Sequence, residues 1–254
     1  MTGSHQSGTV EPNLTEFRLS VNAPHAAMII CPGGAYRLYG PKEMEPVARW
    51  LNGLGISAFL LRYPVGEDLK YTPLRHAARA MRFVRYHAVE WSIRPDKIGI
   101  LGFSAGGHVA STLGTHFDSG RADADDPVER VGSRPDALVL AYSVITMGEH
   151  AHKVCRRNLL GIEPSEELVK EFSNELHVTP ETPPTFLWHS AGDKSVPVMN
   201  SFLFAEALSR AKVPFEFHVF PADLHGGALG EGIPYMDRWP RLCGEWLKNQ
   251  GFCS

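Results

Sequence analysis

Gly102-Phe103-Ser104-Ala105-Gly106 is the stretch of sequence that decides the fold. It follows the apolar run 97–101 and precedes a helix-compatible segment, 107–116. The glycines two residues before and after the serine let a strand and a helix pass close together, so the serine can occupy a strained turn that exposes its hydroxyl. An ordinary glycine-rich turn is the alternative reading of so short a pattern. Its place between a strand and a helix predicts a nucleophilic serine at the apex, Ser104.

Length and composition favour one domain spanning residues 1–254. The chain has 254 residues, of which 43% are hydrophobic and 21% charged, and this is enough to bury a sizeable core. We expect residues 1–14 to be flexible. The formal net charge is −3 and no block of like charges occurs, which argues against nucleic acid and acidic membrane surfaces as partners. The sequence does not indicate an oligomeric state.

The four cysteines lie far apart, without C-x-x-C spacing. This argues against a zinc site and a disulfide framework and favours a reducing compartment. Residues 1–11 are polar and lack the apolar core of a signal peptide, and no stretch approaches the roughly 18 apolar residues of a membrane span. We therefore expect a cytoplasmic protein, or a secreted one if a leader has been removed, and no metal or organic cofactor.

Apolar strand-like runs alternate with longer helix-like runs along the chain. This pattern predicts an α/β fold with a mostly parallel sheet of about eight strands and helices on both faces. The segment 144–184 is less regular and is expected to pack over one edge as short helices. The strand candidates are 16–21, 26–31, 56–61, 97–102, 137–141, 185–189 and 215–220, and the helix candidates are 42–54, 73–90, 104–116, 197–211 and 236–249.

A carboxylate and a histidine, Asp193 and His225, lie on the loops after the last two strand candidates. Alone, each has a plainer reading, as a helix N-cap and as a surface histidine. The chain order Ser, Asp, His is, however, the order of the α/β-hydrolase fold. His225 can take the proton of Ser104, and Asp193 can hold the imidazole in the right tautomer. Asp223 is the reserve for the carboxylate role, although it lies only two residues before His225.

Acyl transfer also needs N–H donors aimed at the oxygen that becomes negative in the tetrahedral intermediate. The backbone N–H of Ala105, directly after the serine, is one candidate. The run 28–31 leads straight into the loop Pro32-Gly33-Gly34-Ala35-Tyr36, which is the candidate source of the other donor. A simple Pro-Gly turn is the alternative interpretation of this loop.

Several of these motifs resemble those of the α/β-hydrolase carbohydrate esterases, the acetylxylan esterase-like and feruloyl esterase-like enzymes. The similarity rests on the run 29–36, the elbow 102–108 and Asp193 with Val196-Pro197, and it covers nearly the whole chain from about Ala26. It implies an α/β-hydrolase fold without a large cap, and removal of small acyl groups, typically acetyl, from sugar hydroxyls. The site residues that it implies are Ser104, Asp193 and His225 as the catalytic triad and Gly34, Ala35 and Ala105 as oxyanion donors.

Two residues depart from the pattern of the related lipases. Pro32 stands where they have the histidine of His-Gly-Gly-Gly, and Ala35 stands where a third glycine is usual. Because Ala35 has a Cβ, positive φ is less accessible to it than to glycine, and we expect a somewhat different loop.

The resulting hypothesis is a serine carboxylesterase that acts on small-molecule or oligosaccharide esters through an acyl-enzyme on Ser104. Tyr36, beside the oxyanion loop, is a candidate substrate contact on the pocket wall, with core packing as the alternative. Two other functions stay open. One is an amide hydrolase of the same fold, similar to arylformamidases or exopeptidases. The other is a binding protein without catalytic activity.

Overall fold

The computed structural model describes residues 13–253, which form one sheet with helices packed on both faces. The strands are β1 (Leu14–Phe17), β2 (His25–Cys31), β3 (Ile56–Leu61), β4 (Ile93–Phe103), β5 (Leu138–Ala141), β6 (Thr185–Ser190) and β7 (Phe215–Phe220). The α-helices are α1 (Glu45–Gly53), α2 (Thr72–Tyr86), α3 (Ala105–Thr115), α4 (Lys153–Leu160), α5 (Glu166–Glu171), α6 (Met199–Arg210) and α7 (Trp239–Asn249). Short 3-10 turns cover Pro41–Glu43, Pro127–Arg130, Asn174–His177 and Met236–Arg238.

The strands lie side by side in the order β1-β3-β2-β4-β5-β6-β7. β1 runs antiparallel to β3, and every other neighbouring pair is parallel. Since β2 to β7 share one direction, their carboxyl ends meet at the same edge of the sheet, where active residues of such folds collect. The loops that follow β2, β4, β6 and β7 therefore come together there.

Two hydrophobic cores flank the sheet, and β2 contributes to both. Ala27, Ile29 and Cys31 pack with α2, α3 and α6, whereas Met28 and Ile30 pack with α1 and α7 on the other face. The alternation follows from the two-residue period of a strand. Burial on both faces also explains the nearly continuous apolar runs from which the strands were predicted.

The predicted α/β class and the mostly parallel sheet are confirmed. Within the described residues the sheet has seven strands, against the expected number of about eight. The irregular segment 144–184 contains the short helices α4 and α5, as predicted.

Residues 1–14 were predicted to be flexible, and of these residues 1–12 lie outside the described part of the chain. Asn13 O accepts a hydrogen bond from Arg62 N at 2.9 Å, and Leu14 pairs with Leu61 in the sheet. The chain is therefore attached to the sheet from residue 13 onward. That residues 1–254 form a single domain stays a prediction.

Residues 13–253 contain neither a membrane-spanning helix nor a cluster of potential metal ligands. No helix there combines the length and the apolar character needed to cross a bilayer, and the longest, α2, has 15 residues. No cluster of three or more His, Cys, Asp or Glu side chains in the same range is placed to hold a metal ion.

Candidate active site

Ser104 stands on the sharp turn between β4 and α3. Its φ of 51° and ψ of −117° are rare for L residues, and such backbone costs of order 1–3 kcal/mol. Ser104 N donates to Ala141 O at 3.0 Å and Ser104 O accepts from Val144 N at 3.0 Å, and these bonds hold the turn. A Cβ at Gly102 would lie 2.3 Å from Gly106 O, and one at Gly106 would lie 2.0 Å from the last carbonyl oxygen of β2. Both glycines are therefore needed for strand and helix to pass this closely.

Three side chains predicted on separate loops form one hydrogen-bonded chain. Ser104 Oγ lies 2.9 Å from His225 Nε2, and His225 Nδ1 lies 2.7 Å from Asp193 Oδ2. Asp193 Oδ1 accepts the backbone N–H groups of Ser195 and Val196, each at 2.9 Å, which fixes the carboxylate in place. The side chain of Asp193 is fully buried, and that of His225 is 24% exposed. The structure thus brings the three residues together, and their catalytic roles stay a prediction.

His189 extends this chain, although the sequence analysis did not select it. Its fully buried ring lies at the end of β6, with Nε2 at 3.4 Å from Asp193 Oδ2 and 3.0 Å from Val196 O. Because a carbonyl oxygen only accepts, Nε2 carries the proton, while Nδ1 accepts from Ser201 Oγ at 2.8 Å. The one sequence signal for this residue was its place at a strand end, four residues before Asp193.

Asp193 is held in its ionised form. Burial acts to raise its pKa, but hydrogen bonds from His189 and His225 and the charge of protonated His225 outweigh burial, so the pKa lies below its ordinary value. An ionised Asp193 keeps a proton on His225 Nδ1 and leaves Nε2 free to accept the proton of Ser104. Asp223, the reserve candidate, is exposed, and no hydrogen bond joins it to His225 in the described part of the chain.

The loop after β2 bends through three consecutive residues of positive φ, namely Gly34 at 137°, Ala35 at 54° and Tyr36 at 59°. Only glycine fits the first position, because a Cβ there would lie 2.0 Å from Leu38 O. Within residues 13–253, the N–H groups of Gly34, Ala35 and Ala105 have no hydrogen-bond acceptor. All three predicted oxyanion donors are therefore free to bind an incoming oxygen.

This loop lies beside the serine. A Cβ on Gly33 would be 3.0 Å from Ser104 Cβ. Ala35 adopts the left-handed conformation despite its Cβ, at a cost of roughly 1–2 kcal/mol. Its carbonyl oxygen accepts a hydrogen bond from Asn158 Nδ2 of α4 at 2.8 Å, which helps to hold that conformation.

Tyr36 is buried, which favours core packing, the alternative interpretation, over its predicted role as a substrate contact on the pocket wall. Its side chain is 1% exposed, and the hydroxyl donates to His108 Nδ1 at 2.8 Å. The ring also packs edge-on against Tyr63, with centroids 5.8 Å apart. The left-handed backbone at two successive residues turns the ring into the core, and the sequence carried no signal for that conformation.

His108 gives the stability of the fold a dependence on pH. His108 Nε2 donates to Phe172 O at 2.8 Å, and burial lowers the pKa of this histidine to about 4 from 6.5. Between these two pH values the unfolded chain binds the proton more readily, so acidification favours unfolding. We expect the free energy of unfolding to fall by about 2 kcal/mol between pH 7 and pH 4.5 from this residue alone. Urea denaturation at both pH values should show a smaller fall for His108→Gln, and equal falls would contradict the prediction.

Two more polar residues near the site escaped the sequence analysis. Glu43 is a buried carboxylate, 9% exposed, that follows the oxyanion loop. His152 caps α4 by accepting Cys155 N–H at Nδ1, at 3.1 Å. Burial and the nearby charge of His225 lower the pKa of His152, which places it close to the catalytic histidine candidate. Neither residue belongs to a recognisable motif.

The sequence matches the family model described as BD-FAE over residues 28–208. It is 38% identical over 219 residues to endo-1,4-beta-xylanase B of Butyrivibrio fibrisolvens, a match that covers 85% of this chain and 34% of the relative. It is 31% identical over 237 residues to an acetylxylan esterase of Xylanibacter ruminicola, covering 91% of this chain and 47% of the relative. The chain thus spans between a third and a half of the length of these relatives.

Solved structures resemble the whole chain. The crystal structure of an acetyl ester-xyloside bifunctional hydrolase from Caldicellulosiruptor lactoaceticus superposes with a TM-score of 0.94 and 46% sequence identity, covering 99% of this chain and 92% of the other. MGS-M1, an alpha/beta hydrolase from a deep-sea metagenome library, gives a TM-score of 0.73 and 30% identity over 95% of this chain and 93% of the other. The predicted α/β-hydrolase fold is therefore confirmed.

Proposed function

Because the chain belongs to the BD-FAE family, we propose that it is a serine carboxylesterase that removes short acyl groups, above all acetyl, from carbohydrate esters such as xylo-oligosaccharides. The observation that carries this proposal is the hydrogen-bonded chain Ser104–His225–Asp193 beside the unpaired N–H groups of Gly34, Ala35 and Ala105. The proposed acetyl group and sugar of the substrate are supported by the similarity to an acetylxylan esterase and to an acetyl ester-xyloside bifunctional hydrolase.

The proposed reaction has two steps. His225 Nε2 takes the proton of Ser104 as its Oγ attacks the ester carbonyl, and the N–H groups of Gly34 and Ala105 donate to the oxygen that becomes negative. His225 then returns the proton to the sugar oxygen, and the alcohol leaves an acyl group on Ser104. Water, deprotonated by His225, attacks this acyl-enzyme, and the carboxylic acid departs with Ser104 regenerated. No step calls for a metal or organic cofactor.

Substrate preference tests the proposal. We expect wild-type kcat/KM to fall along the series p-nitrophenyl acetate, butyrate and octanoate, and acetate to be released from acetylated xylo-oligosaccharides. The segment between β5 and β6 contains two short helices, α4 and α5, and one 3-10 turn, so we expect little cover for a long acyl chain. N-formylkynurenine and aminoacyl anilides should react far more slowly. Faster turnover of these amides than of the esters would replace the proposal by an amide hydrolase of the same fold.

A further inference from the structure

Glu43 is a buried carboxylate whose two oxygens have different partners. Oε2 accepts the backbone N–H of Gly33 at 2.6 Å, and Oε1 accepts the hydroxyl of Tyr142 at 2.6 Å. Burying a carboxylate is costly unless its oxygens are hydrogen-bonded, and an uncharged side chain would fill the same space more cheaply. We therefore expect the buried carboxylate of Glu43 to have a role beyond filling space, exerted through these two hydrogen bonds.

The first of these bonds acts on the oxyanion loop. The carboxylate of Glu43 and the loop are in close contact. A Cβ added at Gly33 would lie 2.9 Å from Glu43 Oε2, and a Cβ added at Gly40 would lie 2.7 Å from it. Gly40 N also donates to Gly33 O at 2.9 Å, so the peptide units on both sides of Gly33 are fixed, including the one that carries the Gly34 N–H. With the Gly33 N–H directed to Glu43, the next N–H groups along the loop, those of Gly34 and Ala35, are left unpaired beside Ser104.

The second bond connects this loop to the loop that carries the histidine. The Tyr142 hydroxyl, which donates to Glu43, accepts the backbone N–H of Ala228 at 3.3 Å. The Tyr142 ring stands edge-on to the His225 ring, with centroids 5.2 Å apart. One buried chain of hydrogen bonds thus joins the backbone near both the oxyanion donor and the general base.

We propose that Glu43 is the positioning residue of the oxyanion loop, holding the Gly33 peptide so that the Gly34 N–H faces the reacting carbonyl oxygen. Glu43 does not touch the substrate. It acts through Gly33 on one side and through Tyr142 on the other. The inference rests on the proposed function, because it assigns the Gly34 N–H to the oxyanion of acyl transfer. A displaced donor lowers the rate steeply, because hydrogen bonds to an oxyanion require close geometry.

Glu43→Gln keeps the volume of the side chain but leaves only one oxygen to accept both hydrogen bonds. We expect kcat for p-nitrophenyl acetate to fall about 10- to 100-fold with KM changed less than about 3-fold. Inactivation by a fluorophosphonate should slow in parallel, because its phosphoryl oxygen occupies the same oxyanion site. A purely structural role would lower the melting temperature without producing this parallel loss in folded protein.

Tyr142→Phe keeps the ring against His225 and removes only the hydroxyl, so it tests the same chain if Glu43→Gln does not fold. Tyr142→Phe should lower both the rate of ester hydrolysis and the rate of inactivation by the fluorophosphonate. The fold-loss in the double variant should be less than the product of the fold-losses in the two single variants. Glu175→Gln is the matched control: it is a half-buried carboxyl on another turn, Asn174–His177, and should keep wild-type rates.

The outcomes separate this inference from the proposed function. Normal rates in folded Glu43→Gln and Tyr142→Phe, with an active wild type, would overturn the positioning role alone. A wild type that hydrolyses none of the esters yet reacts with the fluorophosphonate would overturn the proposed ester substrate, while the labelling rates of the variants still decide the role of Glu43. A wild type that does neither would overturn both.

Discussion

Ser104→Ala is expected to lower kcat for p-nitrophenyl acetate by about 10⁶-fold, the size of loss that removal of a catalytic serine produces. The variant lacks the oxygen that attacks the ester, and His225 Nε2 loses the hydroxyl that lies 2.9 Å away. The fold should persist, because the turn is held by the backbone N and O of residue 104 rather than by its side chain. Steady-state kinetics, fluorophosphonate labelling and a thermal melt would measure the three effects.

The control for this variant is Ser111→Ala. Ser111 is a buried serine of α3 whose hydroxyl donates to His108 O at 3.1 Å, away from the triad candidates. It should keep its activity and its labelling by the fluorophosphonate. If Ser104→Ala instead retained more than about a tenth of the wild-type rate, the nucleophile would lie elsewhere and the proposed mechanism would fall.

Asp193→Asn is expected to lower kcat by about 10⁴-fold with little change in KM. Two backbone N–H groups, from Ser195 and Val196, point at one side of this residue, and they will select the amide oxygen. The amide NH₂ must then face His225 Nδ1, which can accept it only by placing its own proton on Nε2. In that tautomer the imidazole has no lone pair for the hydroxyl of Ser104 and cannot act as a base.

Asp223→Asn is the matched control for the aspartate, since it makes the same chemical change two residues before His225 on an exposed side chain. It should leave kcat unchanged. A large loss in Asp223→Asn together with a small one in Asp193→Asn would reverse the two assignments.

The sequence predicted those features that follow from local pattern and chain order. The glycines around Ser104, together with the strand before the turn and the helix after it, predicted the nucleophile elbow. The order of the loops along the chain predicted Asp193 and His225. These features depend only on strand direction, because parallel strands bring successive loops to one edge.

The residues that the sequence did not predict depend on contacts in three dimensions. Glu43 meets Tyr142 across 99 positions of sequence, and no motif connects them. His189 resembles any buried strand residue until Asp193 folds back against its ring. Tyr36 points inward because Ala35 and Tyr36 itself adopt positive φ. Residues other than glycine and asparagine rarely adopt this conformation, so the sequence did not indicate it.

Asn158 limits how the segment between β5 and β6 can be redesigned. Its side-chain amide in α4 donates to Ala35 O at 2.8 Å, while its backbone oxygen accepts Leu69 N–H at 3.2 Å. The segment between β5 and β6, the natural place to graft a new lid for a different alcohol, is therefore also a brace for the oxyanion loop. A transplanted lid that omits an equivalent amide would change turnover together with selectivity, so library designs should vary the surface of α4 and keep Asn158.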